Sequence, residues 1–288
     1  MRNTSLKKVG RAAIHEVRNR YGKVSPGICN NVYLIDGSLN VGSIFGGAFF
    51  AESEEGMLCF LDRGTHYQLV LSVLPKTGNC LPEMDKEVCC EFIEYSGGNL
   101  ERAEPFQAFL RVNGFEQISV FQELRYCAGQ LHSSAKAKLQ NELAYLKRLG
   151  MSLEPARPES KEEIERLIFN EIGKYDRLSF GETEWLNQIS RGNITAIYHE
   201  EELAAFDLFQ PSGSRFVVKP SFRGMGLGHI VKIAFLAEER WEHSGQWQRE
   251  WVAIGNTPSQ KTMQKLGYSQ TNRLRYRFIR YPGVEEGK

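Results

Sequence analysis

The chain has 288 residues, 25% of them charged and 41% apolar, and its 36 basic residues against 35 acidic ones leave a net charge of +1. Such a composition suits a globular protein of one large or two medium domains, and near-neutrality without long basic runs argues against binding nucleic acid or an anionic membrane through bulk charge. No stretch approaches the roughly 18 uninterrupted apolar residues of a spanning helix, and residues 1 to 10 hold no apolar signal core, so a cytoplasmic location is expected.

Residues 1 to 20 carry a helical pattern through Val9, Ala12, Ala13 and Val17. Strand-like runs follow at 32–35, 57–61, 67–74 and 88–93, separated by Asp, Gly and Pro. Then come a helical stretch at 105–112, a turn at Asn113-Gly114-Phe115 and a strand through 120–126. All six cysteines lie in this half: Cys29, Cys59, Cys80, Cys89, Cys90 and Cys127. None forms a Cys-x-x-Cys pair and no Cys or His cluster has zinc-ligand spacing, so buried free thiols are expected and no metal.

Residues 133–149 read as a helix through Ala135, Leu139, Leu143 and Leu146, stopped at Gly150. Residues 151–159, with Pro155 and Pro158, mark a boundary. Ser160 then suits an N-cap, with Glu163 three residues on as a capping box requires, and Ile164, Leu167, Ile168 and Ile172 give the helix a buried face. A second helix is expected at 181–189 around Trp185 and Leu186, and a hairpin pairs 194–199 with 203–209 across Glu200-Glu201-Glu202. Asp207 is the odd residue of that hairpin, an acid amid Ala204, Ala205, Phe206, Leu208 and Phe209. An acid so placed either faces a wet cleft or pairs with a cation, and the cleft is the reading taken here.

A short strand at 215–219 is stopped by Pro220, which cannot donate to a sheet ladder. Arg223-Gly224-Met225-Gly226-Leu227-Gly228 follows, and after it a helix through Ile230, Ile233, Ala234, Ala237 and Trp241. Glycine lets the main chain approach a ligand where a Cβ would block it, free N–H groups at a helix start attract anions, and a guanidinium suits phosphate. The local chemistry is a pyrophosphate cradle. A Walker loop needs Gly-Lys-Ser/Thr at its end, but His229 and Ile230 follow Gly228; the dinucleotide fingerprint needs its third glycine one position later. Further on lie a strand at 250–254, Asn256 as a helix N-cap, the segment Lys265-Leu266-Gly267-Tyr268, and a basic, aromatic strand at 273–280.

Arg223, Gly226 and Gly228 fall on the fixed positions of Arg/Gln-x-x-Gly-x-Gly/Ala, and the order strand, glycine loop, helix, strand, Asn, helix, Lys-Leu-Gly-aromatic resembles the second half of a GNAT N-acetyltransferase domain. The resemblance covers residues 155 to 281. It implies an α/β (α+β) fold, a mostly antiparallel mixed sheet flanked by helices. Phe109 to Phe115 parallels Met263 to Tyr268, and both lead into strands carrying Leu-Arg-Tyr (124–126 and 274–276). This suggests a degenerate GNAT-like copy at 1–130, a connecting helix and linker at 131–154, and a catalytic domain at 155–288.

The resemblance further implies that Arg223, Gly224, Met225, Gly226, Leu227, Gly228 and His229 hold the diphosphate of acetyl-coenzyme A. Val217, Val218 and Lys219 would line its pantetheine arm, and Asn256 would touch that arm at a helix start. Many family members place a tyrosine general acid seven residues after this Asn; here that position is Met263, which donates nothing. Tyr268, and behind it Tyr198, are the substitutes considered as acid, and Asp207 as base. The implied activity is acetyl transfer to the primary amine of a small-molecule or amino-acid-like acceptor by direct attack, which needs no nucleophilic residue. The alternatives are a non-catalytic coenzyme A-binding module and an aminoacyl-type transferase on a tandem scaffold; the second predicts weak acetyl-coenzyme A binding, against which the intact Arg223 loop argues.

Overall fold

A computed structural model describes residues 7–9, 48–53, 56–71, 81–95, 103–176, 180–210, 213–245 and 247–283. The chain divides into two compact units, one of Met1–Phe121 with Asn272–Lys288 and the other of Gln122–Thr271.

In the first unit, β1 (Lys7–Val9), β2 (Ala48–Ser53), β3 (Gly56–Asp62) and β4 (Tyr67–Leu71) form successive antiparallel pairs. Residues 7–9 are therefore strand, three backbone pairs to Phe50, Phe49 and Ala48 prevailing over the helical pattern expected there. The rest of that pattern, the run at 32–35 and residues 72–74 lie outside the described residues. β5 (Val88–Tyr95) joins β4 in parallel. Alternation sends Leu58, Phe60, Leu69, Val88, Cys90 and Phe92 to one face, where they pack with Phe106, Phe109 and Leu110 of α1 (Ala103–Val112).

Helix α1 ends in a Schellman turn: Gly114 has φ +77°, Phe115 N donates to Leu110 O at 3.0 Å, and Gly114 N to Arg111 O at 3.0 Å. A long strand, β6 (Glu116–Cys127), follows and crosses the boundary between the units. Cys59, Cys89, Cys90 and Cys127 are buried free thiols; burial pushes the Cys59 thiol up to about 12. Cys29 and Cys80 lie outside the described residues.

The second unit opens with α2 (Ala128–Arg148), closed at Leu149 and followed by β7 (Met151–Pro155). The capping box expected at Ser160 does not form. Ser160 sits in a 3₁₀ turn, Pro158–Ser160, at φ −77° and ψ −1°, already helical where a cap is extended, and its Oγ shares a 2.7 Å hydrogen bond with the buried Tyr198 hydroxyl. Arg157 N donates to the same hydroxyl at 2.9 Å, so Tyr198 is structural. Helix α3 (Lys161–Leu167) buries Ile164 and Leu167, then widens into a π turn, Ile168–Ile172, ending at Gly173. In α4 (Glu182–Ser190) Trp185 is buried with its Nε1 donating to Pro158 O at 2.9 Å, while Leu186 is exposed.

Strands β8 (Ile194–His199) and β9 (Glu202–Gln210) form the expected hairpin, turned by Glu200 at φ +55°. β10 (Gly213–Val218) then pairs antiparallel with β9, giving the sheet order β10, β9, β8, β7. α5 (Leu227–Leu236) is buried along nearly its whole length and packs against α2 and β9. It ends five residues before the expected Trp241: Glu238 turns extended, at ψ 138°, and a 3₁₀ turn Glu239–Trp241 follows. β11 (Trp247–Ala253), α6 (Thr257–Lys265) and β12 (Ser269–Arg280) complete the chain.

Within the second unit β12, β6 and β11 are laddered in that order; in the first, Arg273–Arg280 of β12 pairs antiparallel with Val88–Tyr95. The turn after α6 repeats the one after α1, with Gly267 at φ +97°, Tyr268 N donating to Met263 O at 3.1 Å and Gly267 N to Gln264 O at 3.0 Å. No helix among the described residues is long and apolar enough to cross a membrane.

Candidate functional site

β10 ends because Lys219 N makes its last ladder bond, to Ala204 O at 2.9 Å, and Pro220 opens a 3₁₀ turn. The chain then reverses through two left-handed glycines, Gly224 at φ +85° and Gly226 at φ +76°, before α5 begins. Nothing lies within 4 Å of where a Cβ would stand on either, so the need for glycine there is conformational and leaves the turn open. At Gly228 the need is space: a Cβ would meet Phe216 and Val218 side chains at 3.3 Å each, so glycine seats the helix start against β10. Gly226 O accepts from His229 N at 3.0 Å and Ile230 N at 3.2 Å. The main-chain N–H groups of Gly224 to Gly228 have no acceptor among the described residues. Gly226→Val should lower stability by about 1 to 2 kcal/mol through the left-handed strain it imposes, a loss read from urea denaturation.

Gly224, Gly226, Leu227 and Gly228 line a groove of about 570 Å³ within the second unit. Of the residues expected to hold a cofactor, Val217, Val218, Arg223, Gly224, Gly226, Leu227, Gly228, His229 and Asn256 line it together. Met225 lines an adjoining hollow of about 540 Å³, beside Glu142, Tyr145 and Lys265. Lys219 lines neither; its ammonium lies 2.7 Å from Glu202 and 2.9 Å from Glu163, and hydrogen bonds to those two carboxylates hold its pKa above the ordinary value. Asn256 caps α6, its Oδ1 accepting from Ser259 N at 3.2 Å. His229 is partly buried; that burial lowers its pKa, Glu142 opposes the shift, and Lys138 and Lys265 reinforce it, so the imidazole is neutral at pH 7.

Glu171 was not foreseen. It stands on the π turn, lines the groove and accepts a hydrogen bond from Arg223 Nη2, while the Arg223 side chain stays 56% exposed. The 3.6-residue pattern that picked out Ile168 and Ile172 carries no signal for it, because the π turn changes which face residue 171 occupies.

Asp207 and Tyr268, expected as base and acid, are not in the groove. Asp207 is buried 3.1 Å from the ammonium of Lys232, so its partner is a cation and not a wet cleft. Lys232, on α5, also lies 2.7 Å from Glu250 Oε1 on β11 and donates to Ser214 Oγ on β10. Ser214 Oγ donates to Glu250 Oε1 at 2.9 Å, and the buried Tyr268 hydroxyl donates to the same oxygen at 3.4 Å. Burial first, then Glu250 and Tyr126, raises the Tyr268 pKa well above its usual value. Its ring packs tilted against Tyr126 with centroids 4.2 Å apart, and both belong to the core with Met263. Among the described residues no group of three or more His, Cys, Asp or Glu could hold a metal ion.

No family model matches the sequence, and no curated protein matches it. Solved structures do resemble the fold. A Drosophila protein superposes with a TM-score of 0.56 at 14% identity, covering 97% of this chain and 99% of its own. A GNAT-family acetyltransferase of Colwellia psychrerythraea gives 0.51 at 14% identity, over 96% of this chain and 99% of its own. A GCN5-related N-acetyltransferase of Sphaerobacter thermophilus gives 0.51 at 8% identity, over 97% and 96%. At these identities the likeness is one of fold: this chain has the fold of the GNAT acetyltransferases.

Proposed function

We propose that the chain is an acetyl-coenzyme A-dependent N-acyltransferase, passing an acetyl group to the primary amine of a small-molecule or amino-acid-like acceptor by direct attack. The observation that carries the reading is the run of five amides from Gly224 to Gly228, unpartnered among the described residues, leading into a ten-residue helix and beside Arg223. Amides so placed, with the positive end of the helix dipole, suit the two phosphates of coenzyme A, and the groove volume falls in the range of small-molecule sites.

Along the same groove Val217 and Val218 belong to β10, the edge strand of its sheet. An edge strand keeps main-chain donors and acceptors open to the amides of a pantetheine arm, as in β-strand addition. Thr262 and Asn256, from α6 and its cap, line the same groove and suit further contacts with that arm. Direct attack needs the amine neutral and the thioester held still, and the chain supplies the second through main chain alone. A reducing cytoplasm fits four buried free thiols, and the reading involves no nucleic acid, membrane or metal.

A second reading, a coenzyme A-binding module without turnover, is favoured by Met263 and Tyr268. The family's usual acid position holds a fully buried thioether, and the Tyr268 hydroxyl is turned into the core. The two separate in sequence. Saturating acetyl-coenzyme A, at about 100 times its Kd, should stabilise the chain by about 2.7 kcal/mol in thermal unfolding. Free-thiol release with amine, amino-acid and polyamine pools then tests turnover. Absence of any thermal shift ends both readings; a shift without thiol release leaves the module.

A further inference from the structure

Resting on the coenzyme A reading, we infer that Lys232 is a positioning residue whose ammonium ties β10 to β11 and thereby sets the width of the groove along Phe216, Val217 and Val218. Within the second unit these two strands are the edges of different ladders, β10 of the order β10, β9, β8, β7 and β11 of the order β12, β6, β11. No ladder pairing joins them among the described residues, so what holds their spacing is side chains.

Three of those side chains meet at one point. Ser214 comes from β10, Glu250 from β11, and Lys232 from α5 donates to both, while Ser214 Oγ also donates to Glu250 across the gap. Asp207 of β9 faces the same ammonium from below. The charged groups of the cluster are buried, with the Lys232 side chain 0% and the Glu250 side chain 3% exposed, while Ser214 is half-buried. In such surroundings each charge must keep its partner, and the geometry is correspondingly stiff.

The groove wall begins one pleat away. Ser214, Phe216 and Val218 alternate onto the same face of β10, and Phe216 and Val218 both abut Gly228 at the helix start. The Lys232 ammonium lies 5.2 Å from the centre of the Phe216 ring, and Phe216 lines the groove. Shifting the tie therefore moves Phe216 and the strand that would take the pantetheine arm. The amides of Gly224 to Gly226 sit beyond Pro220, in the turn before α5, and those of Leu227 and Gly228 open α5 itself; none of them bonds to Ser214 or Glu250.

The experiment compares two ligands on the whole chain by calorimetry: coenzyme A, which carries both diphosphate and arm, and ADP, which carries adenosine and the diphosphate without the arm. Lys232→Met removes the tie outright but leaves two buried acids and risks unfolding, so Ser214→Ala, which keeps every charge, is the deciding variant. Ser214→Ala should raise the Kd for coenzyme A about fivefold while ADP stays within about twofold. A coenzyme A affinity that is unchanged, or that falls in step with ADP, overturns the positioning role. Wild-type chain that binds neither ligand removes the cofactor reading and this inference together, an outcome distinct from normal wild-type binding with an indifferent Ser214→Ala.

Discussion

Lys232→Met is expected to destabilise the chain by about 3 to 5 kcal/mol, read as a lowered midpoint of urea denaturation with an unchanged slope. Removing one partner of a buried pair costs more than the pair contributed, because the remaining charge has neither water nor counter-ion. Here two carboxylates, Asp207 and Glu250, share the ammonium, and both lie inside the core. Burial alone would lower the Lys232 pKa; Asp207 and Glu250 more than offset this and hold it above its usual value. A raised lysine pKa gives stability that persists to the unfolded value near 10.4 and is lost only above it, so Lys232 stays charged across the physiological range. Glu250 behaves oppositely. Burial, with Asp207 beside it, pushes its pKa up while Lys232 and the Ser214 hydrogen bond pull it down, and without the lysine burial and Asp207 are opposed by Ser214 alone. An acid with a raised folded pKa loses stability as pH climbs from its unfolded value near 4.3 toward the raised one. The deficit of Lys232→Met should therefore widen between pH 5 and pH 8 and shrink in mild acid. A loss below about 1 kcal/mol, flat across that window, would show that the charges tolerate water and are not the buried tie described above.

Why this cluster escaped the sequence reading, while the loop beside it did not, follows from the range of the interactions involved. Glycines at 224, 226 and 228, Pro220 and the Asn256 cap act through their own backbone and immediate neighbours, so residue type and spacing suffice to place them. The Schellman turns at Gly114 and Gly267 are local in the same way. Asp207 posed a question that only a distant residue could answer. Lys232 was the available signal: it is the one formal charge in the segment Leu-Gly-His-Ile-Val-Lys-Ile-Ala-Phe-Leu, a helix too apolar to leave any face in water. Together with Asp207, an acid in an apolar strand, and Glu250, an acid followed by Trp251 and Val252, it makes a set of buried charges that must neutralise one another. Ser160 failed as a cap for a related reason. Tyr198, 38 residues away, needed a partner for its buried hydroxyl, and that demand outweighed the local capping rule. Strand partners are equally non-local: nothing in the residues from Arg273 to Arg280 says that they pair with Val88–Tyr95 in the first unit.

Arg223→Ala should raise the Kd for acetyl-coenzyme A about ten- to a hundredfold, the worth of a charge-assisted hydrogen bond to phosphate. The complication is Glu171, which holds the Arg223 guanidinium in the free chain. A diphosphate entering the groove must compete with that carboxylate, and Glu171 also lines the groove, where it repels the incoming charge. Glu171→Gln is therefore expected to move affinity the other way, lowering the Kd a few-fold, because a neutral amide releases the guanidinium and removes the repulsion. The two shifts separate the roles of the arginine. If Arg223 binds phosphate directly, its loss weakens binding even when Glu171 is already neutral; if it only masks Glu171, the pair Arg223→Ala with Glu171→Gln binds as the wild type does. Because the guanidinium is 56% exposed, the effect of Arg223→Ala should also shrink as salt is raised from 50 to 500 mM, over which range the screening length falls from above about 10 Å toward about 4 Å. Titration of the two single variants and the double variant by calorimetry at both salt concentrations decides it, and a Kd for Arg223→Ala within about twofold of wild type at low salt would mean that the free amides alone hold the anion.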